Sequence, residues 1–131
     1  MRSRLPRGME FPNEGFVQQA IEAHFNQLGF EVEPATHADL VVAHPQTGER
    51  WVVEAKGKTT SVGLDFNTGI GQIVQRMLNP GDKFGLAVPE IPQFVTQCRR
   101  IPAWVRQALG LHWLLVDRSG TVRRCSPDKE V

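Results

Sequence analysis

The sequence predicts an α/β fold, a mixed central sheet with helices on both faces. Three observations carry this reading. Val-rich runs at Leu40-Val41-Val42 and Trp51-Val52-Val53 are joined by a polar loop holding Pro45 and Gly48, the pattern of a β-hairpin. Both runs are apolar at consecutive positions, which suits strands covered on two sides. Helical apolar spacing precedes the hairpin and alternates with strand-like runs after it.

With 131 residues the chain suits one domain with a substantial core. Its net charge of +1 gives no global basic field, so phosphate contacts must come from local clusters. Cys98 and Cys125 form no CxxC pair and lie far from the histidines in sequence, which argues against a zinc site. The start shows no secretory signal, so a reducing cytoplasm is the expected location. No apolar run approaches the roughly 20 residues of a membrane helix.

Residues 1–12, with Arg2, Arg4 and Arg7 among Pro and Gly, read as a flexible basic arm ahead of a single domain over 13–131. Asn13 can cap a helix running to about Leu28, where Gly29 stops it. Val17, Ala20, Ile21, His24 and Leu28 define its buried stripe. Glu14 falls within or beside that stripe, whereas Glu22 points away. The helix dipole accounts for an acid in the first turn but not for its face. Glu14 therefore counts as a candidate and Glu22 does not.

Phe30 to Glu33 alternates like a strand with one wet face, and the hairpin follows. Residues 57–63 are small and polar, a loop. The next helix is expected from Asn67 or Thr68 to about Asn79, with Ile70, Ile73, Val74, Met77 and Leu78 inward and Gln72 and Arg76 together on the opposite face. Lys83 to Val88 is a buried strand closed by Pro89. A helical stretch through Phe94, Cys98 and Val105 follows, with Pro102 starting a second piece and Gly110 ending it. Leu111 to Val116 and Thr121 to Arg124 complete the sheet, the latter as a short edge strand. Cys98 and His112 read as core, and Trp51, Trp104 and Trp113 as packing residues.

The chemistry concentrates on the hairpin. Counting back from a turn centred between Gln46 and Thr47 places Asp39 opposite Glu54, two carboxylates about 5 Å apart at Cβ. Lys56 lies two residues on, on the same face. Two acids at the ends of apolar central strands suit a hard divalent ion, Mg²⁺ or Mn²⁺, held by Asp39, Glu54 and the carbonyl of Ala55. Lys56 would then stabilise charge developing on a phosphate. The competing reading is a turn residue and a surface ion pair. A bulge at Gly48 would slip the register by one and put the acids on different faces.

Gly29-Phe30 after a helix, then Ala38-Asp39, then Val53-Glu54-Ala55-Lys56, then a helix with Gly71-Gln72-Ile73-Val74-Gln75-Arg76, resembles the PD-(D/E)XK nuclease superfamily over about residues 14–88. The resemblance implies a restriction-endonuclease-like αβββαβ core. It implies metal binding by Asp39 and Glu54, catalysis by Lys56, a contribution from Glu14, and Gln72 as a further site residue on the following helix. Ala38 stands where the family often has proline, and Arg76 where it usually has an aromatic residue. The expected activity is Mg²⁺-dependent hydrolysis of DNA, with Mn²⁺ as a substitute. A homodimer or a partner protein is left open, and no exposed apolar helix face demands either. The alternative is a non-catalytic module of the same fold that binds nucleic acid or protein. A third reading is a structural domain whose acids make only salt bridges. From Pro89 on there is no catalytic motif, and Arg99, Arg100, Arg106, Arg118, Arg123 and Arg124 read mainly as solvated charges rather than a phosphate rim.

Overall fold

A computed structural model describes residues 8–34 and 37–131. The elements run α1 (Glu14–Gln27), β1 (Glu31–Val32), β2 (Leu40–Ala43), β3 (Arg50–Ala55), α2 (Val62–Gln75), β4 (Lys83–Pro89), α3 (Pro92–Arg99), α4 (Ala103–Leu109), β5 (Leu111–Val116) and β6 (Val122–Cys125). The strands lie in sheet order β1-β2-β3-β4-β5-β6. Hairpin connections make β1–β2–β3 and β5–β6 antiparallel, while the crossovers through α2 and through α3–α4 make β3–β4–β5 parallel. This is a mixed α/β sheet with a restriction-endonuclease-like αβββαβ core.

Strand alternation divides the core into two layers. Leu40, Val42, Trp51, Val53 and Ala55 face α1, meeting Val17, Ile21 and Phe25. Val41, Val52, Leu86 and Trp113 face the other way, against Phe66 and Ile73 of α2 and Phe94 of α3. Burying side chains the size of Ile21 or Phe25 contributes about 1.5–3 kcal/mol each. Gly29, at φ 88°, turns the chain from α1 toward the sheet, a conformation that glycine adopts without a Cβ penalty. β1 is shorter than its sequence pattern suggests, with both residues exposed at the sheet edge.

The hairpin keeps the register that the sequence sets. Leu40 pairs with Val53 and Ala43 with Arg50, so one further step along the strands places Asp39 opposite Glu54. Gly48 takes its positive φ of 75° in the loop, outside the ladder, and no slip follows.

Three expectations need correction. First, α2 starts at Val62, five residues early, and ends at Gln75 rather than near Asn79. Phe66 is buried with its ring centroid 5.6 Å from that of Trp113, and this packing draws the supposed loop into the first helical turn. The inner face of α2 is consequently Phe66, Gly69 and Ile73, leaving Leu64, Val74 and Leu78 exposed. Second, Trp104 lies on the surface, 71% exposed. Third, Arg106 is buried, not solvated. Its guanidinium donates to the carbonyls of Ser126, at 3.0 Å, and Lys129, and stacks over Trp113.

Of the expected arm, residues 1–7, including Arg2, Arg4 and Arg7, lie outside the described residues. Residues 8–12 fold against the start of α1: the Gly8 carbonyl accepts from the Gly15 amide at 2.9 Å, and the Phe11 ring meets Phe16 edge-on. Among the described residues no helix is long and apolar enough to cross a membrane.

Candidate functional site

Glu54 is the anomaly of the sheet, a carboxylate only 3% exposed on a central strand. Two neighbours define it. Asp39 stands beside it at the mouth of the hairpin, and the Asp39 carboxylate accepts the Ala55 amide at 2.8 Å, which fixes its orientation. Arg76, capping the C-terminal end of α2, brings Nε to 3.4 Å from Glu54 Oε1. Burial, then the hydrogen bond and negative charge of Asp39, push the Glu54 carboxyl up to about 7, with Arg76 opposing the rise.

Lys56 follows Glu54 two residues on, and its amide donates to the Ala87 carbonyl at 2.9 Å. Its side chain runs beneath α2 at Gly69. A Cβ there would stand 3.0 Å from Lys56 Cγ and 2.9 Å from Leu86 Cδ1, so the missing methyl leaves room for the lysine. Among the described residues the Lys56 ammonium makes no ion pair within 4 Å.

Glu14 is held near this set by the backbone. A Cβ on Gly57 would fall 2.0 Å from the Glu14 amide nitrogen, and the Lys58 amide donates to the Pro12 carbonyl at 2.9 Å. The end of β3 thus presses on the start of α1. Desolvation raises the Glu14 carboxyl above its ordinary value, the positive charge of Lys56 opposes this, and Asp39 and Asp65 add to it. Lys56 consequently answers Glu14, while Arg76 answers Glu54.

Gln72 is not on the far face of α2. Half-buried, it lies one helical turn before Arg76, and its Oε1 is buried without a hydrogen-bond partner among the described residues. Glu54 Oε1 and Arg76 Nε also lack hydrogen bonds. The face was misread because it was drawn from a helix starting at Asn67, which omits Phe66 and rotates the inner stripe. Sequence reading also missed Gln18, whose amide donates to the Asp39 carbonyl at 3.0 Å. Its position one turn after Glu14 on α1 was the available signal.

The donor chemistry fits a hard ion. Two carboxylates and an amide oxygen are oxygen ligands; among the described residues Gln72 Oε1 is buried without a hydrogen bond, while Glu54 Oε1 faces Arg76 Nε at 3.4 Å. Among the described residues no group of three or more His, Cys, Asp or Glu side chains converges as a metal site. Mg²⁺ does not need one, since it commonly uses one or two carboxylates together with waters and substrate phosphates.

No family model and no curated protein matches the chain. Two solved structures share its fold. An XisH family protein from Nostoc punctiforme superposes with a TM-score of 0.63 at 17% identity, covering 82% of this chain and 95% of that one. An fdxN element excision controlling factor protein from Anabaena variabilis gives 0.59 at 17% identity, covering 83% and 96%.

Proposed function

We propose that this chain is a metal-dependent nuclease of the PD-(D/E)XK type, hydrolysing DNA phosphodiester bonds. The observation that carries the reading is the Asp39–Glu54 pair at the mouth of the central hairpin, Glu54 buried and Asp39 exposed beside it, with Lys56 on the same face. Burying Glu54 next to a second carboxylate has a cost that a bound cation offsets. A fold relative named for controlling excision of a DNA element agrees with action on DNA.

Asp39, Glu54 and the Ala55 carbonyl would hold Mg²⁺ or Mn²⁺, and the unpartnered Gln72 Oε1 would be an outer partner. When bound, the ion polarises a phosphoryl oxygen and lowers the pKa of water. Lys56, with no acid within 4 Å among the described residues, would place its ammonium where charge develops on the phosphate. Glu14 faces Lys56 and helps to orient it. The test is a Mg²⁺/Mn²⁺ cleavage panel over DNA and RNA forms, with Mn²⁺ calorimetry on wild type and on Asp39→Asn with Glu54→Gln. Cleavage of a DNA form, and binding lost in the double variant, are expected. Mn²⁺ binding that persists unchanged in the double variant would refute the site.

One observation favours a second reading, a non-catalytic binding module. Arg76 already supplies a cation to Glu54 at 3.4 Å. Nucleic-acid binding without cleavage in any metal, and without Mn²⁺ uptake, would select it.

A further inference from the structure

A cavity of about 270 Å³ opens beside the acid pair at the C-terminal end of α2. Its floor includes Val41 and Val52, cross-strand partners in the hairpin. Val41 lies two residues from Asp39 and Val52 two residues from Glu54, so floor and acids share one face, roughly 7 Å apart along the strands. Arg76, Leu78 and Asn79 wall the cavity from the end of α2. Arg50 and Asp82 on the opposite wall are engaged with each other, and Arg50 also with Glu33. Arg76 differs: its Nε is buried and makes no hydrogen bond, and its guanidinium reaches both the cavity and Glu54. Leu78, 85% exposed at the rim, offers apolar surface that the fold itself leaves uncovered.

An apolar floor with a guanidinium and an amide at the edge matches a nucleobase, whose faces are apolar and whose edges carry donors and acceptors. In an intact duplex the base is stacked and paired, and extruding it has a cost that an unpaired strand avoids. Resting on the nuclease reading above, we propose that this cavity receives an unstacked base next to the scissile phosphate, with Arg76 contacting that nucleotide's phosphate. The preferred substrate is then single-stranded or locally unpaired DNA. Arg76 is a positioning residue in this arrangement, linking the acid pair to the base.

The test measures binding of a short fluorescein-labelled DNA strand and of its blunt duplex by anisotropy, with Ca²⁺ replacing Mg²⁺ to prevent cutting. Wild type should bind the single strand at least about tenfold more tightly than the duplex. Leu78→Glu should remove most of that preference, whereas Leu64→Glu should keep it, since it adds the same charge at an exposed α2 position away from the cavity. Both positions are on the surface, so folding is preserved, and thermal melts confirm it. Equal affinity for the two DNA forms, or equal behaviour of the two variants, overturns the inference. If that result comes with Mn²⁺ binding at Asp39 and Glu54, the nuclease reading stands and only the base cavity falls. Absence of Mn²⁺ binding removes both.

Discussion

Alternate residues of β3 occupy two different interiors, although both are shielded from water. Trp51, Val53 and Ala55 face α1 within an apolar cluster, with polar contacts confined to the far end of the strand, where the Trp51 indole donates to Glu49 at 2.9 Å and meets His112, Lys83 and Arg124. Val52, Glu54 and Lys56 face α2, where the same strand becomes polar beyond Val52. The helices account for the difference. α1 closes its side with Val17, Ile21 and Phe25, while α2 offers Gly69, Gln72 and Arg76, giving room and hydrogen-bonding groups at the level of the acids. Burial alone does not make a hydrophobic position. The element packed above it decides which residue type a buried strand position can hold.

The largest expected effect lies on the polar side. Lys56→Ala should lower DNA cleavage by about 10²–10³-fold, the usual loss when a charge-stabilising group is removed, with an unchanged melting curve. Steady-state cleavage assays read this directly. On the dry side, Val53→Ala should cost about 2 kcal/mol of unfolding free energy in urea titration, because it opens a void in a fully buried site. Glu54→Gln, one residue along, should cost nothing at pH 8 in the metal-free protein, or stabilise it. Equal losses at the two positions would erase the contrast between the faces.

A pH series sharpens the same comparison. Glu54 is held at about 7 in the folded chain against an ordinary 4.5. Folded protein thus retains a proton between those values that unfolded protein has released. The stability contributed by protonated Glu54 is fully present below about pH 4.5 and is lost as pH rises through about 7. His24 and His112, lowered mainly by burial, act in the opposite direction. The quantity to follow is therefore the difference in melting temperature between wild type and Glu54→Gln, which should move against wild type as pH rises. Mg²⁺ should recover it more at pH 8 than at pH 5. Arg76→Met should weaken the metal-free protein by roughly 1 kcal/mol at pH 8, since Glu54 loses its nearest cation, and make the Mg²⁺ rescue larger; calorimetric melts with and without the ion would read both. The smallest effect belongs to Leu64→Ser on the outer face of α2, within about 0.5 kcal/mol in the same melts.

The hairpin was legible because its two apolar runs are symmetric about Gln46–Thr47, so one count sets both register and face. Helix α1 was legible from Val17, Ala20, Ile21 and Gly29, although Leu28 of the expected stripe is 44% exposed and Phe25, left out of it, is fully buried. α2 was not, because Ser61-Val62-Gly63 has loop composition and only the burial of Phe66 against Trp113 makes it helical. That contact joins residues 47 apart in sequence, beyond the reach of local pattern. The role of Arg76 was hidden for the same reason, since its partner lies across a helix–sheet interface. Arg106 was hidden because it binds main-chain carbonyls of Ser126 and Lys129, which carry no side-chain signature.

The hairpin also sets an order of events during folding. Asp39 and Glu54 approach once a four-residue loop has closed and the short ladder has formed, on the scale of microseconds. The pairing of β3 with β4 must wait for the α2 crossover, a slower, non-local step. The two like charges therefore meet in open solvent, Asp39 stays exposed in the folded chain, and Arg76 arrives only with the helix that covers Glu54. Desolvation of Glu54 is thus deferred to the last stage of docking, where a divalent ion would favour closure of the α2 layer.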